Sequence, residues 1–247
     1  MASTASGQSA SAERVVGRLV ADLETDADAL VDGIVGRIRQ EIPDFRRLPA
    51  EALARAVRAN VGRALAALRE LRPPTEEELE GAAAVGRERA EQGLTVDAVL
   101  HAYRTTVNAV WSRFGELARE RGVDVASVLA FSETLWLWAD AVMDVVSVAH
   151  REVELQVVRD QQQRRDAFVL ALLTGASDPG ALAADGAAHG LDAGREYVPF
   201  RARALGGDQP APLSRRVALA LAGDGGLVAA AALLTPGAAP RADGAVA

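Results

Sequence analysis

Residues 123–174 of this chain read VDVASVLAFSETLWLWADAVMDVVSVAHREVELQVVRDQQQRRDAFVLALLT. They contain neither glycine nor proline, although the 247-residue chain has 22 Gly and 10 Pro. Because these two residues are the least compatible with a helix interior, the stretch predicts one very long helix. At about 1.5 Å per residue it would extend about 75 Å, more than a small helical domain needs to cover its core. It is apolar at first, polar at residues 159–166, and apolar again just before Gly175. This pattern is typical of a helix that connects two domains, and it favours a signalling protein over an enzyme.

One seam of the long helix follows alternating steps of three and four residues, as in coiled-coil-like packing. Its members are Val125, Val128, Ser132, Leu135, Ala139, Val142, Val146, Ala149 and Val153. We expect the other helices to be too short to cover this seam beyond His150. Because a second copy of the same helix is the simplest cover for such a seam, we predict a homodimer through the long helix.

The composition argues against several classes of function. The formal net charge is -7 and all 27 basic residues are arginine, whereas a nucleic-acid-binding segment needs a clustered basic face. The absence of cysteine excludes disulfides, thiolate catalysis and cysteine-ligated metals. The first residues are small and polar, unlike a signal peptide, and charged residues interrupt the apolar runs. We therefore expect a cytoplasmic protein with no membrane partner.

Apolar periodicity predicts four helices before the long one, hence an antiparallel bundle of about five helices. The first covers residues 12–41 and the second ends near Leu71. The third begins at a capping box formed by Thr75 and Glu78. The junctions before the last two helices of the bundle share one signal, a glycine that ends one helix and a residue that caps the next. Gly93 is followed by Thr95, and Gly122 is followed by Asp124.

After Gly175 the helical periodicity gives way to a mixed pattern, and residues 167–247 hold 12 of the 22 glycines. We predict, in order, a turn at 178–180, a short helix at 181–189, a strand at 197–205, a helix at 213–222 and a strand at 227–234. We expect these elements to form the start of an α/β domain, and because two strands make a poor sheet, we expect that domain to be incomplete. The predicted organisation is a disordered segment at 1–11, the bundle at 12–158, a connector helix at 159–175, the partial α/β domain at 176–235 and a disordered tail at 236–247.

Two segments resemble a known family: GRERAEQGLTVDAVLHAYRTTVNAVW at residues 86–111, and RRDAFVLALLTG at residues 164–175 with the strand REYVPFRARAL after it. In this order they resemble the PucR/CdaR-type transcriptional regulators common in actinobacteria. The resemblance implies a helical sensory region, of the kind also seen in RsbR-type stress regulators, followed by a degenerate GGDEF-like domain and a helix-turn-helix. Nothing after Leu234 resembles the rest of that domain or a helix-turn-helix, so DNA binding is carried over to no residue of this chain.

Aromatic residues concentrate on the last two helices of the predicted bundle. Trp136 and Trp138 lie two residues apart, about 200° around a helix, so only one of them can face the core. We interpret the aromatic set as core packing plus a dimer contact. The alternative is a small-molecule pocket between helices, lined by Tyr103, Arg104, Trp111 and Trp136, with Tyr103 and Arg104 as its polar groups.

Other candidate sites carry weaker signals. His101 could be a haem ligand, but the simpler interpretation is a histidine of a bundle helix with no ligand. His150 and Glu154 lie four residues apart, and we interpret them as a solvated pair rather than half of a metal site. The sequence Gly206-Gly207-Asp208 predicts a turn rather than a nucleotide site. Because no motif of catalysis or metal binding is present, we predict no enzyme, no cofactor and no metal.

We interpret the chain as the sensory and dimerisation region of a PucR-like regulator, which signals through the long helix to an output domain and responds to a small-molecule or protein effector. The alternatives are an RsbR-type protein-interaction scaffold of stress signalling and a ligand-binding helical bundle.

Overall fold

The computed structural model describes residues 2–174 and 178–188, and every regular element in these residues is helical. The elements are α1 (Ala2–Thr25), α2 (Ala27–Glu41), a 3₁₀ helix (Pro43–Arg47), α3 (Ala50–Arg69), α4 (Glu76–Glu91), α5 (Val96–Glu120), α6 (Val125–Thr174) and α7 (Pro179–Ala188). The mainly helical fold class is thereby confirmed for the described residues. The predicted elements at 197–205, 213–222 and 227–234 and the tail at 236–247 lie outside them.

The stretch without glycine and proline forms one continuous helix, α6, of 50 residues. The prediction of a very long helix is therefore confirmed. Between Arg151 and Arg164 every side chain is exposed except those of Val153 and Asp160, which are half-buried. The predicted boundary between bundle and connector, at residues 158 and 159, thus falls inside a single helix.

The chain divides into two compact units, residues 1–155 and 156–247. In the first unit, α1 and α2 both pack against α3 and α5, and α4 contacts α3 and α5. The initial part of α6 contributes Phe131, Leu135, Trp138, Val142 and Val146 to the same core. In the second unit, α7 confirms the predicted short helix and begins at Pro179, so it includes most of the predicted turn.

Capping residues set the start of α4 as predicted. The Glu78 amide donates to Thr75 Oγ1 at 3.2 Å, and the Thr75 amide donates to Glu78 Oε2 at 2.8 Å. Arg72 donates to both carboxylate oxygens of Glu78 at 2.9 Å. These hydrogen bonds, that from Arg72 above all, hold the pKa of Glu78 below its usual value.

The turns before α5 and α6 share one geometry, as the sequence predicts. Gly93 and Gly122 have φ angles of 74° and 61°, in the left-handed region that residues with a Cβ rarely adopt. Thr95 then accepts a hydrogen bond from a backbone amide in the first turn of α5. Asp124 does the same for α6, where the Ser127 amide donates to Asp124 Oδ1 at 2.9 Å.

The N-terminal region differs from the prediction in two respects. Residues 12–41 form two helices rather than one, with a break at Asp26. The same apolar stripe continues on both sides of the break, so periodicity gives no sign of it, although Thr25 and Asp26 are both weak helix formers. In addition, α1 begins at Ala2, within the segment 1–11 that the sequence predicts to be disordered. That segment is rich in alanine and free of proline, so it can extend the helix.

The predicted seam of α6 packs inside the bundle. Leu135, Ala139, Val142, Val146 and Ala149 are each at most 3% exposed. The chain's own helices therefore cover the seam from Leu135 to Ala149, and these residues are not available to a second copy. The first seam residue, Val125, is 73% exposed. Other exposed apolar residues of α6 include Leu129, Trp136, Leu137, Val148, Leu155, Val157 and Val158.

Helix α4 packs closely on α6 at Gly86. A Cβ atom on Gly86 would lie 2.7 Å from the carbonyl oxygen of Val146 and 3.2 Å from its Cα. Both of these atoms belong to the backbone, so no side-chain rotation could relieve the contact. The absence of a side chain at Gly86 thus permits the α4–α6 packing.

By length and composition alone, α6 is long and apolar enough to cross a membrane, contrary to the prediction from its interrupting charges. In the structure, 39% of its most apolar 18-residue window is buried within the protein. Core helices of proteins that never enter a membrane pass the same test. Because this part of α6 supplies core residues such as Phe131 and Trp138, its apolar character has an explanation in bundle packing.

Candidate functional site

The four residues of the predicted pocket lie in different environments. Tyr103 is buried, Arg104 is exposed in a surface groove, Trp111 is half-buried, and Trp136 is 44% exposed. The structure therefore does not bring them together around one cavity. Of the two tryptophans that the sequence places on opposite sides of a helix, Trp138 faces the core and is 2% exposed.

Tyr103 instead lines a small cavity that is partly open to solvent, which we call the Tyr103 cavity, with a volume of about 40 Å³. Its walls come from α2, the 3₁₀ helix, α3, α4 and α5. Most of the lining is apolar, with Ile38, Phe45, Leu53, Val57 and Val99 among its members. The polar members are Asn60, Arg89, Tyr103 and Thr106.

One of these polar side chains has a buried atom without a hydrogen-bond partner among the described residues. Asn60 is 8% exposed, and its buried Oδ1 accepts no hydrogen bond. Burial raises the pKa of Tyr103 to about 12. By contrast, Thr106 Oγ1 donates to a backbone carbonyl within α5 at 2.9 Å.

Two guanidinium groups act on the buried hydroxyl of Tyr103, and both lower its pKa against the larger effect of burial. Arg89 is 3% exposed and its Nη1 donates to Gln92 Oε1 at 2.6 Å and Glu88 Oε1 at 3.1 Å. Arg63 has buried Nε and Nη2 atoms without a hydrogen-bond partner, and it forms no ion pair with any described residue. Of these two arginines only Arg89 lines the cavity, and it is paired with Glu88.

A second depression, of about 270 Å³, lies on the surface between α2 and α5. It is lined by Arg37, Glu41, His101, Arg104, Thr105 and Asn108. His101 is half exposed there, with Nε2 3.7 Å from Glu41 Oε2. This polar, open setting differs from the apolar cavity that a haem group requires, so the geometry favours the interpretation of His101 as an ordinary bundle histidine.

Aromatic rings join α5 to α6. The rings of Phe114 and Phe131 stack with centroids 3.5 Å apart, and Trp111 lies 6.4 Å and 6.3 Å from them. Trp111 thus serves the core rather than a pocket. This arrangement agrees with the interpretation of the aromatic set as core packing.

His150 lies in the core rather than at the surface, where the sequence predicted it. It is fully buried, and its Nε2 lies 2.8 Å from the carbonyl oxygen of Leu94 in the α4–α5 connection. Because a carbonyl oxygen only accepts, Nε2 carries the proton and donates. The interpretation of His150 and Glu154 as a solvated pair is therefore wrong for His150, although Glu154 is half exposed at 3.6 Å from Nδ1. The position of His150 four residues after Val146, on the buried side of α6, was the available signal.

In the described residues, no group of three or more histidine and carboxylate side chains is placed to hold a metal ion. The site is thus a small, mostly apolar cavity lined by α2, the 3₁₀ helix, α3, α4 and α5, and α4 is in turn packed on α6 at Gly86.

A family model described as "RsbT co-antagonist protein rsbRD N-terminal domain" matches residues 28–165. The chain belongs to this family. The matched range begins in α2 and ends within α6, so it includes α2 to α5, the Tyr103 cavity and most of the long helix, whereas α1 lies before it. Family membership confirms the RsbR-like part of the resemblance and a signalling role of the sensory type, in a family of non-enzymatic domains. Comparisons with curated proteins and with solved structures found no significant match.

Proposed function

We propose that this RsbRD N-terminal domain is the sensory and dimerisation region of a cytoplasmic transcriptional regulator of the PucR type. In this proposal, α6 carries the state of the bundle to an output domain. The observation that supports it is the continuity of α6, which supplies core residues up to Ala149 and then extends, almost entirely exposed, through Arg164. A helix that is rigid over this length transmits a rotation or a shift at one end to the other.

Two contacts couple α6 to α4 and to the connection that follows it. Gly86 of α4 lies against the Val146 backbone, and His150 donates to the Leu94 carbonyl. Because a packed interface of this kind has discrete arrangements rather than a continuum, a change in the position of α4 would move α6 to another packing state. The α4–α6 interface is thus the two-state element that a signalling mechanism needs.

The helical phase of α6 provides the test. Residues 1–174 would be joined to a DNA-binding domain that represses a reporter gene only as a dimer, with alanines inserted between Gln161 and Gln162. Two inserted residues rotate the downstream part of the helix by about 200°, whereas seven rotate it by only about 20° from its original phase. We expect repression to be lost with two residues and retained with seven. Equal repression by both insertions would contradict transmission through a rigid helix.

We propose that a second copy of the chain covers an exposed apolar stripe of α6. Leu137, Val148 and Leu155 are 67%, 57% and 55% exposed, and their spacings of 11 and 7 residues place them on one side of the helix. A long helix that exposes aligned apolar residues is typical of a helix-pairing surface. Unlike the buried seam, this stripe is accessible to a partner.

Sedimentation equilibrium tests the dimer. We expect wild-type protein to be dimeric at micromolar concentration and Leu137→Glu to be monomeric, because a charge would replace an apolar contact. Leu129→Glu is the matched control, since Leu129 is 56% exposed and lies about a quarter turn around the helix. Monomeric wild-type protein would contradict the proposal.

A second candidate function is supported by the family's description, which names a co-antagonist of RsbT. On this alternative the chain is an interaction scaffold of stress signalling that acts through partner proteins and needs no DNA-binding output. Binding of an RsbT-type protein to the purified chain, weakened by substitutions on the exposed surface of the bundle, would favour the scaffold over the regulator.

A further inference from the structure

The first part of α6 exposes apolar side chains that the bundle core does not use. Val125, Leu129 and Trp136 are 73%, 56% and 44% exposed. Their spacings of four and seven residues place them within about 40° of one another around the helix and within about 17 Å along it. Aligned exposed apolar residues that include an indole are typical of a surface that binds another protein.

Carboxylates lie along the same face of the helix. Glu133 and Asp140 are exposed, and each follows an apolar residue of this face by four positions, which is about 40° around the helix. Neither side chain forms an ion pair or a hydrogen bond with a described residue, and residues 125–149 contain no arginine, lysine or histidine. Apolar surface and unpaired negative charge therefore alternate along one face. We call it the Trp136 face, and it comprises Val125, Leu129, Glu133, Trp136 and Asp140.

The negative charges argue against a second copy of the chain as the occupant of the Trp136 face. Two copies that met through it would bring their carboxylates together, and like charges placed opposite each other disfavour association. The stripe of Leu137, Val148 and Leu155, for which we propose pairing with a second copy, lies about a quarter turn away around the helix. The Trp136 face therefore fits a partner of the opposite charge.

We propose that the Trp136 face binds an amphipathic helix of another protein, one that carries a stripe of apolar residues with arginine or lysine beside it. Such a helix packs its apolar stripe along α6. An arginine of the partner pairs with Glu133 or Asp140, and its guanidinium can stack on the exposed indole of Trp136. A contact one helix face wide is at the small end of protein interfaces, as in transient signalling complexes. The proposal goes beyond the proposed function, which assigns no partner to this face.

The experiment measures binding of synthetic peptides to the full chain by fluorescence anisotropy. The probe is an alanine-based helical peptide of about 16 residues, long enough to span the Trp136 face, with a leucine stripe flanked by arginines. A second peptide has the same stripe flanked by glutamates, and a third has the composition of the probe but no stripe.

We expect the probe to bind saturably, and more weakly as salt is added. The glutamate peptide should not bind, and the peptide without a stripe should bind about tenfold more weakly or less. Absence of saturable binding by the probe would overturn the proposal. Equal affinity for the peptide without a stripe would also overturn it, because attraction between net charges would then explain the binding.

Variants of the chain locate the binding. Trp136→Ala should lower the affinity for the probe about tenfold or more, because tryptophan commonly dominates the binding energy of an interface. The control is Leu155→Ala, since Leu155 is 55% exposed on α6 but lies outside the Trp136 face.

The carboxylates are tested by combining Glu133→Gln with Asp140→Asn. Because both side chains are exposed and unpaired, we expect the Tm of this variant to match that of the wild type. Its affinity for the probe should fall, and the affinity should depend less on salt. Glu152→Gln, a change at an exposed carboxylate of α6 on another side of the helix, is the control. Unchanged affinity in this variant and in Trp136→Ala would overturn the assignment.

Sedimentation equilibrium of Trp136→Ala decides whether a second copy is the occupant instead. We expect this variant to keep the oligomeric state of the wild type. If it were monomeric while the wild type is dimeric, a second copy would cover the Trp136 face and the proposal would be wrong. Peptide binding requires neither the dimer nor the output domain, so its failure is distinguishable from failure of the Leu137→Glu and helix-insertion tests.

Discussion

Substitution of Gly86 by alanine tests the α4–α6 contact directly. At an unhindered helix position this change stabilises a protein by about 0.5–1 kcal/mol, because alanine is the better helix former. At Gly86 the new Cβ would lie 2.7 Å from the Val146 carbonyl oxygen, and ordinary contact begins at 3.4 Å, so α4 and α6 would have to separate by 3.4 − 2.7 = 0.7 Å. Because overpacking of this kind costs about 1–3 kcal/mol, we expect Gly86→Ala to be less stable than the wild type by about 1–2 kcal/mol.

Gly62→Ala is the matched control for that prediction. Gly62 lies in the interior of α3, is exposed, and a Cβ there would meet nothing within 4 Å. We therefore expect the same substitution to raise stability by about 0.5–1 kcal/mol. Urea unfolding followed by tryptophan fluorescence measures both, because all three tryptophans lie in α5 and α6. If Gly86→Ala were as stable as Gly62→Ala, the close approach of α4 to the Val146 backbone would be refuted.

Three other substitutions probe further contacts of the bundle. Arg72 lowers the pKa of Glu78 in the folded state. The ionised Glu78 therefore stabilises the fold above its unfolded-state pKa, and this stabilisation is lost as the pH falls through its folded-state pKa. In urea unfolding, Glu78→Gln should lose less stability than the wild type between about pH 5 and pH 3. His150→Leu leaves the buried Leu94 carbonyl without its hydrogen-bond donor and should lower the free energy of unfolding by about 1–3 kcal/mol. An unchanged free energy of unfolding would mean that water replaces the imidazole as the donor. Trp111→Ala should lower the free energy of unfolding by about 2–4 kcal/mol in the same assay, because Trp111 is only half-buried but packs on two core rings. A loss below about 1 kcal/mol would place Trp111 outside the core.

Much of the helical layout follows from local signals in the sequence. The absence of glycine and proline predicts α6, and capping residues predict the starts of α4, α5 and α6 at Thr75, Thr95 and Asp124. These features depend on residues that are close together in the sequence, so they can be predicted without knowledge of the tertiary structure. The break at Asp26 was not predicted, because one apolar stripe runs through both α1 and α2 and conceals it.

The candidate site was predicted only in part. Tyr103 lines the cavity as a pocket residue should, whereas Arg104, its neighbour in sequence, points about 100° away around α5 and lines the surface groove. Asn60 and Arg89 were missed. They belong to α3 and α4, and in the sequence they resemble the other polar residues of amphipathic helices. Their burial depends on how three helices pack, which no local pattern encodes.

The sequence by itself determined that this chain is mainly helical, where most of its helices begin and end, and that one helix is long enough to leave its own domain. Those properties arise from backbone propensities and from hydrogen bonds between residues a few positions apart. Only the tertiary structure decided which side of α6 is buried, that His150 is inside rather than outside, and that Gly86 admits the backbone of Val146. It alone placed Asn60, Arg89 and Tyr103 around one cavity. The physical reason is that burial, desolvation and unpaired charge are properties of the assembled bundle, set by side chains that are distant in the sequence and adjacent only after folding.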